Sequence, residues 1–382
     1  MADDKNQMKV LIITSTLSEK SGLGRYSLEM IKRLPRSWEL LIFSGREEDG
    51  LKEIKNGKIF QVLPGPFELF KLRNPFLVWR LARKIRRQAA GVDFVHSFMD
   101  YPHSFLAALV ARALRKPLFL TAHGTYSLSP LNRWPDKYFC RFALKSAKKV
   151  FCISRFTEEE IKKRVSLVKT VAINNGIDFE KFNCAAASEK TEGKMILSVG
   201  LVKARKGYHI SIPAIAQVKR KYPKVKYYIV GQKAGENYFH QLQLLVKKYS
   251  LTENVIFLEG ITDDELKQLY RRADVFLLTP VNVNDNFEGF GLVYLEAGAC
   301  GKPVIGTKGC GAQEAVEDGR TGILVEQNDV DGTAQAVLKL LDDPKLAERM
   351  GQAGREKAKL NDWKQVVQKY TDVYQDELET PD

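Results

Sequence analysis

Short runs of apolar, β-branched residues alternate along this chain with longer stretches in which apolar positions return every three or four residues. KVLIIT (9–14), LLIF (40–43), FVHS (94–97), LFLTA (118–122), VFCIS (150–154) and TVAIN (170–174) predict strands. After a polar interval the cycle restarts with MILSVG (195–200), KYYIVG (226–231), VIFLEG (255–260), VFLLTP (275–280) and PVIGT (303–307). Helical periodicity fills the gaps, as at 208–222, 236–250, 263–273 and 332–342, and DWKQVVQKYTDVYQDEL (362–378) reads as an amphipathic helix. Strands alternating with helices predict parallel sheets covered on both faces.

The break falls at NCAAASEKTEGK (183–194), which is small, polar and without periodicity. The pattern therefore predicts an α/β chain of two Rossmann-like, doubly wound parallel-sheet domains. The first spans 1–185 and the second 195–360, and a C-terminal helix over 361–382 returns toward the first. In open α/β sheets ligands sit beyond the carboxyl ends of the strands, so a cleft faced by both domains is the expected site.

Composition narrows the class. With 382 residues, 44% hydrophobic and 28% charged, the chain is globular and long enough for two cores. MADDKNQMKV lacks the basic and then apolar segments of a secretory signal, and no apolar run approaches 18 residues, so a cytoplasmic location is expected. The five cysteines, Cys140, Cys152, Cys184, Cys300 and Cys310, form no CxxC and no ligand spacing with histidine, and are expected to be reduced thiols. The net charge of +14 is lopsided: residues 1–190 carry 34 Lys and Arg against 19 Asp and Glu, and the rest of the chain is nearly neutral. The first domain should meet something anionic.

Four stretches carry candidate chemistry. SEKSGLGRYSLEM (18–30) follows the first strand and opens a helix, where Gly22 and Gly24 either form a simple turn or admit a phosphate. Ser27 in place of a third glycine, and no acid at the tip of the second strand, exclude a dinucleotide fingerprint. TAHGTYS puts His123 past a strand end, as a structural residue or a ligand contact. SVGLVKARKGYHI (198–210) brings Lys203, Arg205 and Lys206 to a strand-end turn, either as a solvated charge run or as a diphosphate site. In FEGFGLVYLEAGACGKPVIGT (287–307), a helix predicted to start around 289–292 would offer the amides of Gly289, Phe290, Gly291 and Leu292 to phosphate or sugar oxygens. Glu288 and Glu296 would then stand roughly 12 Å apart at a helical rise, or the acids merely complement the helix dipole.

This constellation resembles the family 4 glycosyltransferases of GT-B architecture, which are retaining enzymes. The resemblance covers nearly the whole chain. It rests on the E-x7-E pair with GKPVIGT and GAQEAVEDGRTGILVEQND (311–329), supported by NNGID (174–178) and RKG (205–207). It implies that Glu296 holds the donor ribose, and that Glu288 with the amides from Gly289 to Leu292 binds sugar and diphosphate. Lys206 and Arg205 would neutralise the leaving diphosphate, Gly22 and Gly24 would approach it, and His123 would stand near sugar and acceptor. One departure matters: where such enzymes usually carry Arg, this chain has Leu201, so Arg205 or Lys203 would have to supply that charge.

The implied reaction is transfer of a hexose from a UDP- or GDP-linked donor to a glycan or lipid-linked acceptor. It would be a front-side substitution with no cofactor or metal, the nucleotide sugar acting as co-substrate. No Asp-x-Asp element occupies a suitable loop, and Asp263–Asp264 reads as a helix cap. A nucleotide-sugar epimerase of GT-B form and a degenerate binding or scaffold protein are the rival readings; Glu288, Glu296 and Lys206 together speak against the scaffold.

The basic segment 71–87 has a different cast. After Pro75 a helix would place Leu77, Val78, Leu81 and Ile85 on one face and Arg80, Arg83, Lys84 and Arg87 on another, with Phe76 and Trp79 as interfacial anchors. That suits the surface of an anionic membrane, or equally a surface helix packed on the first sheet. No nucleic-acid-binding module accompanies the charge, so nucleic acid is not an expected partner.

Overall fold

The protein is represented by a computed structural model, which describes residues 7–19, 21–45, 54, 56–64, 74–183 and 193–380. Cys184, Lys71, Arg73 and most of the break at 183–194 lie outside the described residues.

The apolar runs form two fully parallel sheets. The first contains β1 (Lys9–Ile13), β2 (Glu39–Ser44), β3 (Gly57–Gln61), β4 (Phe94–Ser97), β5 (Leu118–Ala122), β6 (Lys149–Cys152) and β7 (Thr170–Ala172), in the order β3-β2-β1-β4-β5-β6-β7. The second contains β8 (Met195–Val199), β9 (Lys226–Val230), β10 (Val255–Leu258), β11 (Val275–Leu277), β12 (Val304–Thr307) and β13 (Gly322–Val325), in the order β10-β9-β8-β11-β12-β13. The predicted strands are present. β3 and β13 were not predicted; both edge strands are short, and GKIFQ has no continuous apolar run to mark it. In each sheet the order reverses once, between β1 and β4 and between β8 and β11. These are the switch points where crevices open beyond the strand ends.

Two compact units result, Met1–Asn175 with Trp363–Asp382, and Gly176–Asp362. The first junction therefore precedes the polar break by several residues. The reason is local: the helix Phe179–Phe182 belongs to the second unit, where the Phe182 ring meets Tyr270 edge-on at 6.1 Å. Ile177 also donates its amide to Asn361 at 2.9 Å.

The last helix, Trp363–Glu379, completes the first unit. Trp363, Val366, Val367, Tyr370 and Tyr374 recur on one helical face and are all buried in the core with Tyr26, Trp38, Phe94 and Phe151. The Tyr26 hydroxyl donates to that of Tyr370 at 3.0 Å, and the His96 ring bonds Tyr374 and Thr121. The helix Pro344–Leu360 was not predicted, although Asp343 capping Leu346 and Pro344 at the first position are its start signals.

Burial settles the basic helix Pro75–Gln88. Val78, Leu81 and Ile85 point into the first unit and Leu77 is half-buried, so the apolar stripe packs on protein. Phe76 and Trp79 stay outside, 69% and 55% exposed, with Arg83 over the Trp79 ring. Among the described residues no helix is long and apolar enough to cross a membrane. Cys140, Cys152, Cys300 and Cys310 are buried as thiols.

Candidate functional site

The switch point of the second sheet brings two distant loops together. β8 is followed by Gly200 and then by a single 3-10 turn, Ala204–Lys206, that leads into the helix Tyr208–Lys221. Gly207 joins the two at φ 72°, and a Cβ there would stand 1.7 Å from the carbonyl oxygen of Thr279. Only glycine fits, so the turn carrying Lys206 lies against the chain leaving β11. Val281 donates its amide to the Arg205 carbonyl at 2.9 Å, and the Thr279 hydroxyl donates to that of Gly207 at 3.0 Å.

Glu288 lies at the centre of this contact. It is 8% exposed, and its Oε2 accepts from Lys206 Nζ at 2.7 Å and Arg205 Nη1 at 2.9 Å. Arg205 Nη1 also reaches the Phe287 carbonyl at 3.0 Å, and the Glu288 carbonyl accepts the Gly311 amide at 2.8 Å. Burial alone would push the carboxyl up. The charges of Lys206, Arg205 and Lys203, with the Lys206 hydrogen bond, outweigh that and hold it at about 2. Lys203 is half-buried and has no carboxylate paired with it among the described residues. Burial first, then repulsion from Arg205 and Lys206, brings its ammonium down to about 8. Three cations around one carboxylate leave a net positive corner at the strand ends.

The helix after Glu288 starts later than expected. It spans Leu292–Ala299, and Gly289, Phe290 and Gly291 form the loop before it, with Gly291 left-handed at φ 88° as the N-cap. Their amides therefore precede the first turn instead of forming it, and a helical rise does not describe the path from Glu288 to Glu296. Phe290 is buried, and a Cβ on Gly291 would strike the Tyr294 ring at 2.6 Å. Glu296, on the helix, is buried and accepts from the Tyr270 hydroxyl at 2.7 Å. Thr262, paired in a capping box with Glu265, caps the helix at 263; Asp263 and Asp264 occupy its first turn.

The first unit holds the other candidates. His123 follows β5, and its Nε2–H donates to the Phe98 carbonyl at 2.8 Å, so Nδ1 is the acceptor nitrogen left for a ligand. Its amide donates to Asp100 Oδ1 at 3.2 Å, and the Ser127 hydroxyl bonds the same oxygen. Burial raises the Asp100 carboxyl, against the lowering influence of His123 and Ser127. Gly24 donates its amide to the Ser21 cap at 3.0 Å, so it is not a phosphate donor. A Cβ there would lie 2.2 Å from the Ser18 carbonyl oxygen, and this close approach explains the glycine. Gly22 opens the helix Gly22–Arg33, and a Cβ there would meet nothing within 4 Å.

Asp100, Ser127, Tyr270, Thr279 and Gly311 support the candidates, and sequence reasoning passed over them as site residues. Their contacts join residues far apart in the chain, for which no local spacing is a signal. Leu201 is exposed beside Gly200, so the charges of this corner come from Lys203, Arg205 and Lys206.

Two parallel-sheet units with a charged corner at the switch point define a GT-B glycosyltransferase. Residues 180–357 match the model for group 1 glycosyl transferases, and residues 20–181 match that for Glycosyltransferase Family 4. The chain belongs to the family 4 glycosyltransferases. It is 26% identical to an uncharacterized glycosyltransferase of Methanocaldococcus jannaschii, over 97% of this chain and 98% of that one. It is 29% identical to a GDP-mannose-dependent alpha-(1-6)-phosphatidylinositol monomannoside mannosyltransferase of Mycolicibacterium smegmatis, over 93% and 94%. Among solved structures, a glycosyltransferase from Rickettsia africae superposes with a TM-score of 0.82 at 21% identity, covering 98% of this chain and all of that one. Anabaena HepE in complex with UDP-glucose gives 0.77 at 20% identity, covering 97% and 100%.

Proposed function

We propose that this enzyme transfers a hexose from a UDP- or GDP-linked donor to a glycan or lipid-linked acceptor, with retention at the anomeric carbon and without a divalent metal. The observation that carries the reading is the Lys206–Glu288–Arg205 cluster, with Lys203 beside it, at the switch point of the second sheet. Its excess positive charge suits a diphosphate, and grows in value as the leaving group gains charge. Glu288 orients the two cations through Oε2 and has Oε1 to accept a sugar hydroxyl. Glu296, fixed by Tyr270, would take ribose hydroxyls, and the amides of Gly289 to Leu292 and of Gly22 would meet oxyanions.

A carboxyl held at about 2 is a poor base near neutral pH, so Glu288 does not take the acceptor's proton. In the front-side reaction the acceptor oxygen bonds the anomeric carbon on the face from which the diphosphate departs. The carbon–phosphate oxygen bond breaks with its electron pair on the diphosphate, which takes up the acceptor's proton. His123 Nδ1 would accept a hydroxyl hydrogen bond from sugar or acceptor. Two relatives act on or hold GDP-mannose and UDP-glucose, and both bases stay in the proposal. Phe76, Trp79 and the surrounding arginines would bring the enzyme to anionic lipid.

The test is donor consumption across UDP- and GDP-hexoses with EDTA present, with the anomeric configuration of the product read by NMR. Turnover of one donor with retention supports the reading. Inversion, or turnover abolished by EDTA and restored by a divalent ion, overturns the corresponding part. Free epimers formed without acceptor would point to an epimerase.

A further inference from the structure

We propose that the cavity beside Trp134 is a subsite for a hexopyranose ring of the acceptor, an inference that rests on the transferase reading above. The cavity, of about 470 Å³, is walled by Tyr101, Arg133, Trp134, Pro135, Asp136 and Phe139, all in the first unit. That volume suits a small ligand. Trp134 is 79% exposed, more than Trp79 on the basic helix, whereas Trp38 and Trp363 are buried. Set in the wall of a cavity, the exposed ring offers an apolar face to an occupant.

The ring is presented on a stiff mount. The Arg133 amide donates to the Pro130 carbonyl at 3.2 Å, that of Lys137 to Arg133 at 2.8 Å, and that of Tyr138 to Pro135 at 3.1 Å. The backbone is thus bonded on both sides of Trp134, and little ordering entropy remains for binding to remove. Arg133 and Asp136 flank it with fork donors and a carboxylate, the latter buried and accepting from the Tyr101 hydroxyl at 3.0 Å. An indole face for the C–H side of a sugar, with a carboxylate and a guanidinium for its hydroxyls, is the chemistry of a saccharide subsite. A buried carboxylate in the wall disfavours an anionic lipid headgroup.

Asp100 lies just outside the cavity wall, where the proposed site runs on toward His123. It directly precedes Tyr101, is 9% exposed, and holds the His123 amide through Oδ1. Its Oδ2 is buried and has no hydrogen-bond partner among the described residues. A buried acceptor without a donor is costly, and a sugar hydroxyl would satisfy it. A glycan lying from Trp134 to Asp100 would bring its end to His123.

The experiment measures binding of methyl α- and β-glucosides, mannosides and galactosides, and their disaccharides, to the full chain by saturation-transfer NMR. At least one should bind, Trp134→Ala should weaken it roughly tenfold, and Trp134→Phe should restore most of the affinity. The melting temperature of the exposed-site variants is measured alongside to show that they fold. Monodeoxy analogues of the best-bound glycoside are measured beside it, and Asp100→Asn should narrow the gap between parent and one analogue, which a purely structural role would not do. The proposal is overturned if no glycoside binds, or if Trp134→Ala binds them like the wild type. It is also overturned if Trp134→Ala loses only phosphatidylglycerol vesicles, which would make Trp134 a membrane contact. Donor hydrolysis by the wild type, read separately, tests the transferase reading without reference to Trp134.

Discussion

Lys206 Nζ lies 2.7 Å from Glu288 Oε2, both side chains are almost wholly buried, and the two residues belong to loops 82 positions apart. Removing Lys206 leaves the buried Glu288 carboxylate with Arg205 alone to balance it at hydrogen-bond distance, in low dielectric. Lys206→Met should cost about 3 kcal/mol of stability and roughly 100-fold or more in donor turnover. Pairing it with Glu288→Gln should recover part of the stability and none of the turnover. Denaturant unfolding and donor hydrolysis on the double-mutant cycle check both.

Acid should expose the same pair. The Glu288 carboxyl stands at about 2 in the folded chain against an ordinary 4.5, so its stabilising contribution, about 3 kcal/mol, is present above pH 4.5 and is lost as pH falls toward 2. The stability gap between wild type and Glu288→Gln, measured by urea melts at stepped pH, should shrink below pH 4.5.

Lys203 titrates in the range where the enzyme can be assayed. Its ammonium, held down to about 8, loses its charge as pH rises through that value. The donor KM should therefore rise several-fold between pH 7 and 9. Lys203→Arg should flatten the profile at the low KM, since guanidinium stays charged, and Lys203→Met should flatten it at the high one. The buried charge costs stability below pH 8, a cost that fades as pH climbs toward 10.5.

Gly207→Ala should be among the most damaging substitutions in the second unit. A left-handed φ and a Cβ 1.7 Å from the Thr279 oxygen combine strain with a backbone clash. A loss of about 3 kcal/mol or more is expected, read as a lower melting temperature. Gly22→Ala, in a helix with open space around it, should be neutral or gain up to about 1 kcal/mol.

Ending the chain after Asp362 removes Trp363, Val366, Val367, Tyr370 and Tyr374 from the first core. At about 2 kcal/mol for each buried side chain, the loss rivals the whole stability of a domain. The truncated chain should lose protection from proteolysis throughout residues 1–175, and survival of that region intact would contradict the packing.

Much of this was legible beforehand. The central strands are buried on both faces, so their apolar runs are continuous and easily read. GKIFQ at a sheet edge is half wetted and gave no such signal. The Lys203–Lys206 run and Glu288 were recognisable because glycines and charges cluster locally at strand ends. Their pairing was not, since an ion pair between residues 82 apart leaves no spacing to detect. The loop before Leu292 was misjudged because glycine suits a helix start and a left-handed cap equally well.

The sequence by itself determined the two doubly wound sheets, the families of strand-end loops and the basic bias of the first half, because periodicity, glycine and charge act over a few residues. Tertiary structure decided the rest. It turned the apolar stripe of the basic helix inward, drew the last helix into the first core, closed Lys206 and Arg205 onto Glu288, and left Asp100 with an oxygen unmet. Each of these is a contact between segments remote in the chain, and its energy depends on desolvation that exists only once both segments are packed.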